Sequence, residues 1–384
     1  MTATPVYDVA VIGAGVFGAW TALHLVRRKQ RVMLIEAYGL AHSRASSGGE
    51  TRIIRMSYGP DEIYTRWSQR SLAQWMALFA ESGERLFHPT GVLWLSGEDV
   101  TRLHQSQENL ARCGVNHLLL GRRDLEQRYP QVNFDGVSRG LFEPESGVLM
   151  ARRAVACAVQ SALRQGLTLT AAQVKTPRGK TVLEYLQTSG AERISAGAFV
   201  FACGPWLGKL FPELLGPLIF PSRQEVFFFA PPPGDARFAS PALPTWLFQS
   251  DEVYGMPDIE SRGLKLACDR HGERVDPDTQ SRLVSREGVD WARGFVAKRF
   301  PAMKDAPIVE ARVCQYENTS SGDFLIDRHP EFSNVWLAGG GSGHGFKHGP
   351  AVGEYVTAMV LQGGTAELRF SFATKAARQE RAVH

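Results

Sequence analysis

The segment Tyr7-Asp-Val-Ala-Val-Ile-Gly13-Ala-Gly15-Val-Phe-Gly18 leaves the chain little choice about how it begins. An apolar run of strand type enters a G-x-G-x-x-G turn. Ala19, Leu23, Leu25 and Val26 continue it with helical periodicity, and Val32-Met-Leu-Ile-Glu36 reads as a second strand. Glycines at this spacing permit a tight strand-to-helix turn and close approach of a pyrophosphate to the helix N-terminus. Glu36 ends the second strand eighteen residues after Gly18, where a carboxylate accepts from a ribose hydroxyl. The glycine pattern alone is weak; strand, helix, strand and acid in register predict a dinucleotide site. The acid favours a free 2′-hydroxyl, hence FAD or NAD rather than NADP.

A second informative region lies near the end. It reads Cys314-Gln-Tyr316, then Asp323-Phe-Leu-Ile-Asp327, then Gly339-Gly-Gly-Ser-Gly-His-Gly-Phe-Lys347. This glycine-dense loop runs into a helical stretch, Pro350 to Leu361, so its backbone N–H groups can approach a flat or anionic ligand unobstructed by Cβ atoms. Together with the N-terminal fingerprint it points to a flavin.

At 384 residues the chain exceeds one typical domain, and two are expected. The texture alternates. Residues 1–82, 150–216 and 321–384 carry the βαβ character, with an aromatic helix around Tyr64 to Phe79. Residues 83–149 and 217–320 are expected to form a second, mostly antiparallel sheet domain. Within these ranges, strands are expected as a hairpin over 86–98, at 167–174, as a pair around 181–186 and at 198–204, and helix over about 98–126. The fold class is thus α/β with α+β, two discontinuous domains. A net charge of +4, with no run of five like charges, implies neither nucleic acid nor a membrane surface. No eighteen-residue apolar stretch appears. The five cysteines (113, 157, 203, 268 and 314) lack C-x-x-C spacing, which argues against zinc and a disulfide framework. A cytoplasmic, metal-free protein is expected.

Several pieces carry a resemblance that spans nearly the whole chain. They are the fingerprint, Gly49-Glu-Thr-Arg-Ile-Ile-Arg55, Thr90-Gly-Val-Leu, Cys203-Gly-Pro-Trp206, Gly263-Leu-Lys-Leu266, Cys314-Gln-Tyr316, Phe324-Leu-Ile-Asp327 and Ser342-Gly-His-Gly-Phe-Lys347. In these the chain resembles the monomeric sarcosine oxidase and N-methyltryptophan oxidase family of flavoprotein amine oxidases. The cysteine followed by S-G-H-G-F-K is the specific part, since many unrelated flavoenzymes share the opening fingerprint.

The resemblance implies a glycine oxidase or D-amino-acid-oxidase-like architecture: a Rossmann-like FAD-binding domain and a substrate domain. It implies FAD tethered by a thioether to Cys314, oxidation of a secondary amine, and reoxidation by O2 to hydrogen peroxide; a monomer is expected because no extra interface segment is evident in the sequence. FAD contacts are implied at Gly13, Gly15, Val16, Phe17 and Gly18, then at Glu36, Ala37, His42, Ser46, Ser47, Thr51 and Arg52. Further contacts fall at Val174, Cys203, Gly204 and Trp206, and at Cys314, Tyr316, Gly341, Gly343, His344, Gly345, Phe346 and Lys347.

The same resemblance gives Arg55 and Lys347 the grip on a substrate carboxylate, where a planar guanidinium binds bidentately and an ammonium adds charge. The bland alternatives are a surface ion pair for Arg55 and a cofactor phosphate contact for Lys347. Arg52 is implied to lie against the flavin ring. Lys265, in an apolar strand-like run, is implied to assist oxygen activation as a fixed cation; otherwise it is a solvated outward lysine. Tyr254 and His344 match pocket positions, or are packed rings. One departure stands out: sarcosine-type members carry a histidine where this chain has Asp269, with His271 expected on the same strand face. An anionic Asp269 would favour a cationic substrate nitrogen or take its proton; otherwise it is protonated, or it pairs with Arg270. Relatives that act on cyclic imino acids resemble this chain at that site, and the resemblance implies such substrates as the alternative. A dehydrogenase with a non-oxygen acceptor, an NAD enzyme and a non-catalytic flavin scaffold are the other readings. Lys265, Cys314 and the intact set of site residues argue respectively against them.

Overall fold

A computed structural model describes residues 7–363 and 367–379; the outermost ends of the expected first domain, 1–6 and 380–384, lie outside the described residues. Six strands form the sheet that carries the fingerprint. Its order is Leu325–Arg328, Val335–Gly339, Ala196–Phe201, Tyr7–Ile12, Val32–Glu36, Thr168–Ala171. All neighbours are parallel except the Leu325–Arg328 edge strand, which runs antiparallel to Val335–Gly339. Ile12 lies in register with Ile35 on one side and Phe201 on the other, so these strands end at one level. The chain order reverses across Tyr7–Ile12. Ligands of open parallel sheets bind at such a switch point, beyond the carboxyl ends of the strands.

The helix Val16–Arg27 is buried on nearly every side, including Phe17, Ala19, Trp20, Leu23, Leu25 and Val26. It needs that apolar composition because it packs between the sheet and the helices Ala151–Arg164 and Gly349–Gln362. Contact with the last of these depends on small residues: a Cβ on Gly353 would lie 2.6 Å from the Trp20 carbonyl carbon. The long helix Glu62–Ser82 adds Tyr64, Trp75, Leu78 and Phe79 to the same core.

An eight-stranded sheet makes up the second layer, in the order Ile308–Asn318, Phe220–Phe229, Leu264–Cys268, Val253–Met256, Thr245–Phe248, Val92–Ser96, Arg139–Glu143, Leu118–Gly121. Only the Thr245–Phe248 and Val92–Ser96 pair is parallel. A three-stranded sheet of Thr51–Ile54, Gly147–Met150 and Phe87–His88 also forms.

Several local expectations differ from this arrangement. The hairpin over 86–98 does not form: Phe87–His88 pairs with 148–149, while Val92–Ser96 belongs to the eight-stranded sheet. Gly91, at φ +70°, turns the chain from one sheet to the other. The stretch 98–126 is two helices, Thr101–Arg112 and Arg122–Arg128, separated by the edge strand Leu118–Gly121. Gly114, at φ +67°, ends the first of them. Of the region 167–187, Thr168–Ala171 and Leu186–Gln187 are strands, and the latter pairs with Arg193–Ile194. The β-rich range 217–320 also holds a helix, Arg286–Arg299. The strand bearing Lys265 stops at Cys268, so Asp269 and His271 lie on a loop and the same-face expectation fails.

Candidate functional site

Four parallel strands deliver their next residues into one cavity of about 1000 Å³. Tyr7–Ile12 gives Gly13, Gly15, Val16 and Phe17; Val32–Glu36 gives Glu36, Ala37, Tyr38 and His42. Ala196–Phe201 gives Ala202, Cys203, Gly204 and Trp206, and Val335–Gly339 gives Gly341, Gly343, Gly345 and Phe346. Ser46, Ser47, Arg52, Val174 and Tyr316 complete the predicted cofactor residues on its wall. Gly13 has φ +98°, and a Cβ there would meet Ala202 O at 2.4 Å. Gly18 faces away from the cavity; a Cβ on it would lie 1.8 Å from Gly13 O, so it lets helix and strand close up.

Glu36 is fixed by its neighbours. Its Oε2 accepts from Ala14 N at 2.8 Å, its Oε1 accepts from Tyr38 N at 3.0 Å, and His42 Nε2 stands 3.4 Å from Oε1. Burial pushes this carboxyl up, but the hydrogen bonds of His42, Tyr38 and Ala14 outweigh it and hold it below its ordinary range. The cavity wall also bears buried polar atoms with no hydrogen-bond partner among the described residues, namely His42 Nδ1, Ser46 Oγ and Glu317 Oε1. Buried polar groups are normally satisfied. The hydroxyls and phosphate oxygens of a dinucleotide offer partners of the right kind, so the residues fit one.

The remaining predicted residues gather next to this cavity, on the side of the eight-stranded sheet. Cys314 lies on the strand Ile308–Asn318, its Sγ 3.3 Å from Arg52 Nη2. Arg52 Nη1 also donates to Thr51 O at 2.8 Å. Lys265 is 2 % exposed rather than solvated; its Nζ donates to Thr51 O at 2.9 Å and Thr51 Oγ1 at 3.0 Å. Burial, then the Arg52 guanidinium, pushes the Lys265 ammonium well below its usual range. Tyr254 and Tyr316 are hydrogen-bonded side chains, and burial pushes Tyr254 up to about 12.

Arg55 is buried, not on the surface. Its guanidinium lies 4.2 Å from the Tyr58 ring centre and 4.7 Å from that of Trp94. Lys347 is equally buried, and its Nζ donates to Tyr58 Oη at 2.9 Å and His344 O at 3.0 Å. Burial first, then repulsion from Arg55, drives its ammonium well below the usual range. Asp269 is half-buried and feels both cations. Burial raises its carboxyl to about 6, against the pull of Arg55, Lys347 and a hydrogen bond to Tyr316. The pairing with Arg270 does not occur, because Arg270 Nε donates to Glu252 Oε2 at 2.8 Å. His344 turns into the core: its ring stacks on Phe324 with centres 4.9 Å apart, and Nε2 stands 3.0 Å from Gly322 O. His271 lies edge-on to Tyr316 at 6.2 Å.

Sequence reading missed the segment 175–185 as part of the cavity wall, together with Tyr38, Asp278, Gln315 and Glu317. The first has no motif to announce it. Glu317 had one available signal, its place three residues after Cys314 on a predicted site strand. Among the described residues, no group of histidines, cysteines and carboxylates has the makings of a metal site, and no helix is long and apolar enough to cross a membrane.

Comparison with known proteins agrees with this geometry. The family model described as FAD dependent oxidoreductase matches residues 8–359. Peroxisomal sarcosine oxidase of Homo sapiens is 32% identical over 365 residues, covering 93% of this chain and 92% of its own. Monomeric sarcosine oxidase of Streptomyces avermitilis is 31% identical, covering 94% and 96%. N-methyl-L-tryptophan oxidase of Salmonella arizonae is 27% identical, covering 93% and 95%. Among solved structures, L-proline dehydrogenase from P. horikoshii shares the fold with a TM-score of 0.82 at 23% identity, over 94% of this chain and 95% of the other. With a dinucleotide cavity at the switch point of its parallel sheet and a family match along almost its full length, the chain belongs to the FAD-dependent oxidoreductases.

Proposed function

We propose that this protein oxidises a carboxylate-bearing secondary amine, an N-methyl or N-alkyl amino acid of sarcosine type, to its imine, with O2 reduced to hydrogen peroxide. The observation that carries the reading is the grouping of two buried basic residues, Arg55 and Lys347, with the half-buried acid Asp269 beside the cavity. A carboxylate and an amine borne by one α-carbon match that charge pattern. The relatives named sarcosine oxidase and N-methyl-L-tryptophan oxidase support it.

FAD, held by the residues of the cavity wall, supplies the two-electron oxidation at the carbon next to nitrogen. Arg55 fixes the substrate carboxylate with its planar fork, and Lys347 adds a second donor, so that the amine end is oriented rather than merely bound. Asp269 is placed to receive the proton of the substrate ammonium, since only a neutral amine has a lone pair to stabilise the developing imine. Tyr316 holds the Asp269 carboxylate by a hydrogen bond and is itself hydrogen-bonded to Tyr254. Lys265 is the donor we assign to negative charge that develops on oxygen. Cys314, with Arg52 at its sulfur, is the residue we assign to a thioether tether.

A second reading, in which the amine nitrogen lies in a ring as in pipecolate or proline, rests on Asp269 standing where sarcosine-type members carry a histidine. A dehydrogenase with another electron acceptor is the remaining alternative. The test is an anaerobic titration with sarcosine, N-methyl aromatic amino acids, L-proline and L-pipecolate, following the flavin absorbance. Bleaching by an N-methyl amino acid, with colour and peroxide returning on admission of air, is the expected result. Bleaching only by a cyclic imino acid would replace the substrate class. Reduction without reoxidation in air would replace oxidase by dehydrogenase.

A further inference from the structure

Glu317 is the acid that the proposed reaction leaves unused. It is the next-to-last residue of the strand Ile308–Asn318, opposite Pro221, and its backbone O accepts from Ser342 N at 2.8 Å. The side chain is 7 % exposed and lines the cavity. It fits between two glycines: a Cβ on Gly204 would come 3.9 Å from its Oε2, and one on Gly339 would clash with Oε1 at 2.3 Å. Oε1 has no well-formed hydrogen bond among the described residues.

The place is next to the fingerprint turn. Gly204 follows Cys203, whose Sγ donates to Ile12 O at 3.4 Å, and a Cβ on Gly13 would lie 3.2 Å from Cys203 Cα. An acid therefore stands where the pyrophosphate end of a dinucleotide is expected from the glycine pattern. An ionised carboxylate facing phosphate oxygens is repelled, whereas a protonated one donates to them.

We propose that Glu317 is a cofactor-positioning residue whose carboxyl group donates a hydrogen bond to an oxygen of bound FAD close to the fingerprint turn. The proposal rests on the FAD reading of the cavity. Burial raises this carboxyl to about 8, against the pull of the Gly340 and Gly341 N–H groups, so the donor form prevails at neutral pH. The titratable groups facing it are few. Cys203, whose thiol burial pushes well up, feels both Glu36 and Glu317. The glycine loop 339–341 and the paired segment Phe220–Ser222 bring no charged side chain, and Lys209, on the short helix Leu207–Leu210 with Leu207, is held by Asp276 and Asp278.

The experiment compares the purified holoenzyme with Glu317→Gln, which donates but never ionises, and Glu317→Leu, which does neither. Flavin-to-protein ratio and melting followed by flavin fluorescence are read at pH 6 and pH 9. Glu317→Leu is expected to hold less flavin and to melt roughly 3–6 °C lower. Glu317→Gln is expected to match the parent at pH 6 and to melt above it at pH 9. Full flavin content and parental melting in Glu317→Leu would overturn the proposal, as would equal losses in both variants. Should Glu317→Leu not fold, identical parent and Glu317→Gln profiles from pH 6 to pH 9 would overturn it. A parent protein that carries no flavin would refute the FAD reading and this proposal together; flavin-replete variants indistinguishable from the parent refute the proposal alone.

Discussion

The ionisable residues of the site carry the sharpest expectations. Asp269, raised from 3.8 to about 6, is costly to ionise in the folded protein. A raised acid contributes stability that is present below its unfolded pKa and is lost as pH rises through the folded value. Asp269→Asn should therefore gain stability relative to the parent between pH 4 and pH 6 and hold that gain above it, as read by denaturant midpoints across pH. Activity runs the other way: if Asp269 takes the substrate proton, kcat/KM falls below about pH 6 in the parent. In Asp269→Asn that limb should vanish and the rate should drop by ~10²-fold or more. An unchanged acid limb in the variant would remove Asp269 from the chemistry. Lys265→Met should slow flavin reoxidation by O2 by about 10²–10³-fold while leaving anaerobic reduction by the amine nearly intact. Stopped-flow measurement of the two half-reactions separates these effects. Cys314→Ser should release its flavin on acid precipitation, where the parent's colour is expected to stay with the pellet. Arg55 and Lys265 were both legible as charged residues in sequence, but not as buried ones; only packing decides that.

At the scale of the element, the N-terminal βαβ unit was fully legible because its glycines act locally. A Cβ on Gly18 would stand 1.8 Å from the backbone oxygen of Gly13, within one turn of chain. Gly18→Ala should push the helix Val16–Arg27 off its strand and cost on the order of 3 kcal/mol, with flavin content falling in parallel. Urea unfolding and visible absorbance check both parts. Elements outside this unit were read less well. The helix Arg286–Arg299 had its signals: Ser285 Oγ accepts from Gly288 N at 2.9 Å as an N-cap, and Ala292, Phe295 and Val296 share a buried face. They were obscured by the β-rich stretches on either side. The expected hairpin at 86–98 failed for a different reason. Both strands exist, but which strand pairs with which is a long-range matter, settled by residues 139–143, 148–149 and 245–248.

Across the whole molecule, the site depends on contact between pieces distant in sequence. Glu50, 8 % exposed, gathers Arg152 at 2.9 Å and Arg312 at 3.2 Å, tying the turn before Thr51 to the strand that carries Cys314. Removing Glu50 leaves Arg152 to solvent and Arg312 with only its contact to Glu310 at 3.8 Å and its bond to Gly48 O. Glu50→Ala should thus cost roughly 1–3 kcal/mol, and the loosened Arg52–Cys314 contact should lower the fraction of tethered flavin. Thermal melting and in-gel flavin fluorescence measure the two. A variant with parental stability and full tethering would show that the cluster does not hold the two pieces together. We also propose that the division at 82/83, 149/150, 216/217 and 320/321 marks two structural units; limited proteolysis should then cut first near the exposed junctions 82/83 and 216/217, since 149/150 lies within the buried strand Gly147–Met150.

The sequence by itself determined the cofactor class, since a glycine turn, a helix and an acid at fixed spacing act within one short stretch of chain. It determined the oxidase resemblance in the same way, through compact motifs around Arg52, Lys265, Cys314 and Lys347. Only the tertiary structure decided that Arg55, Lys347 and Asp269 share one electrostatic environment, and that Asp269 has no bond to Arg270 because Glu252 takes that guanidinium. Only tertiary structure, too, turned His344 into an aromatic core and set Glu317 against the cavity. Local spacing encodes what one stretch of backbone can form; burial and charge pairing depend on neighbours that long-range packing brings together.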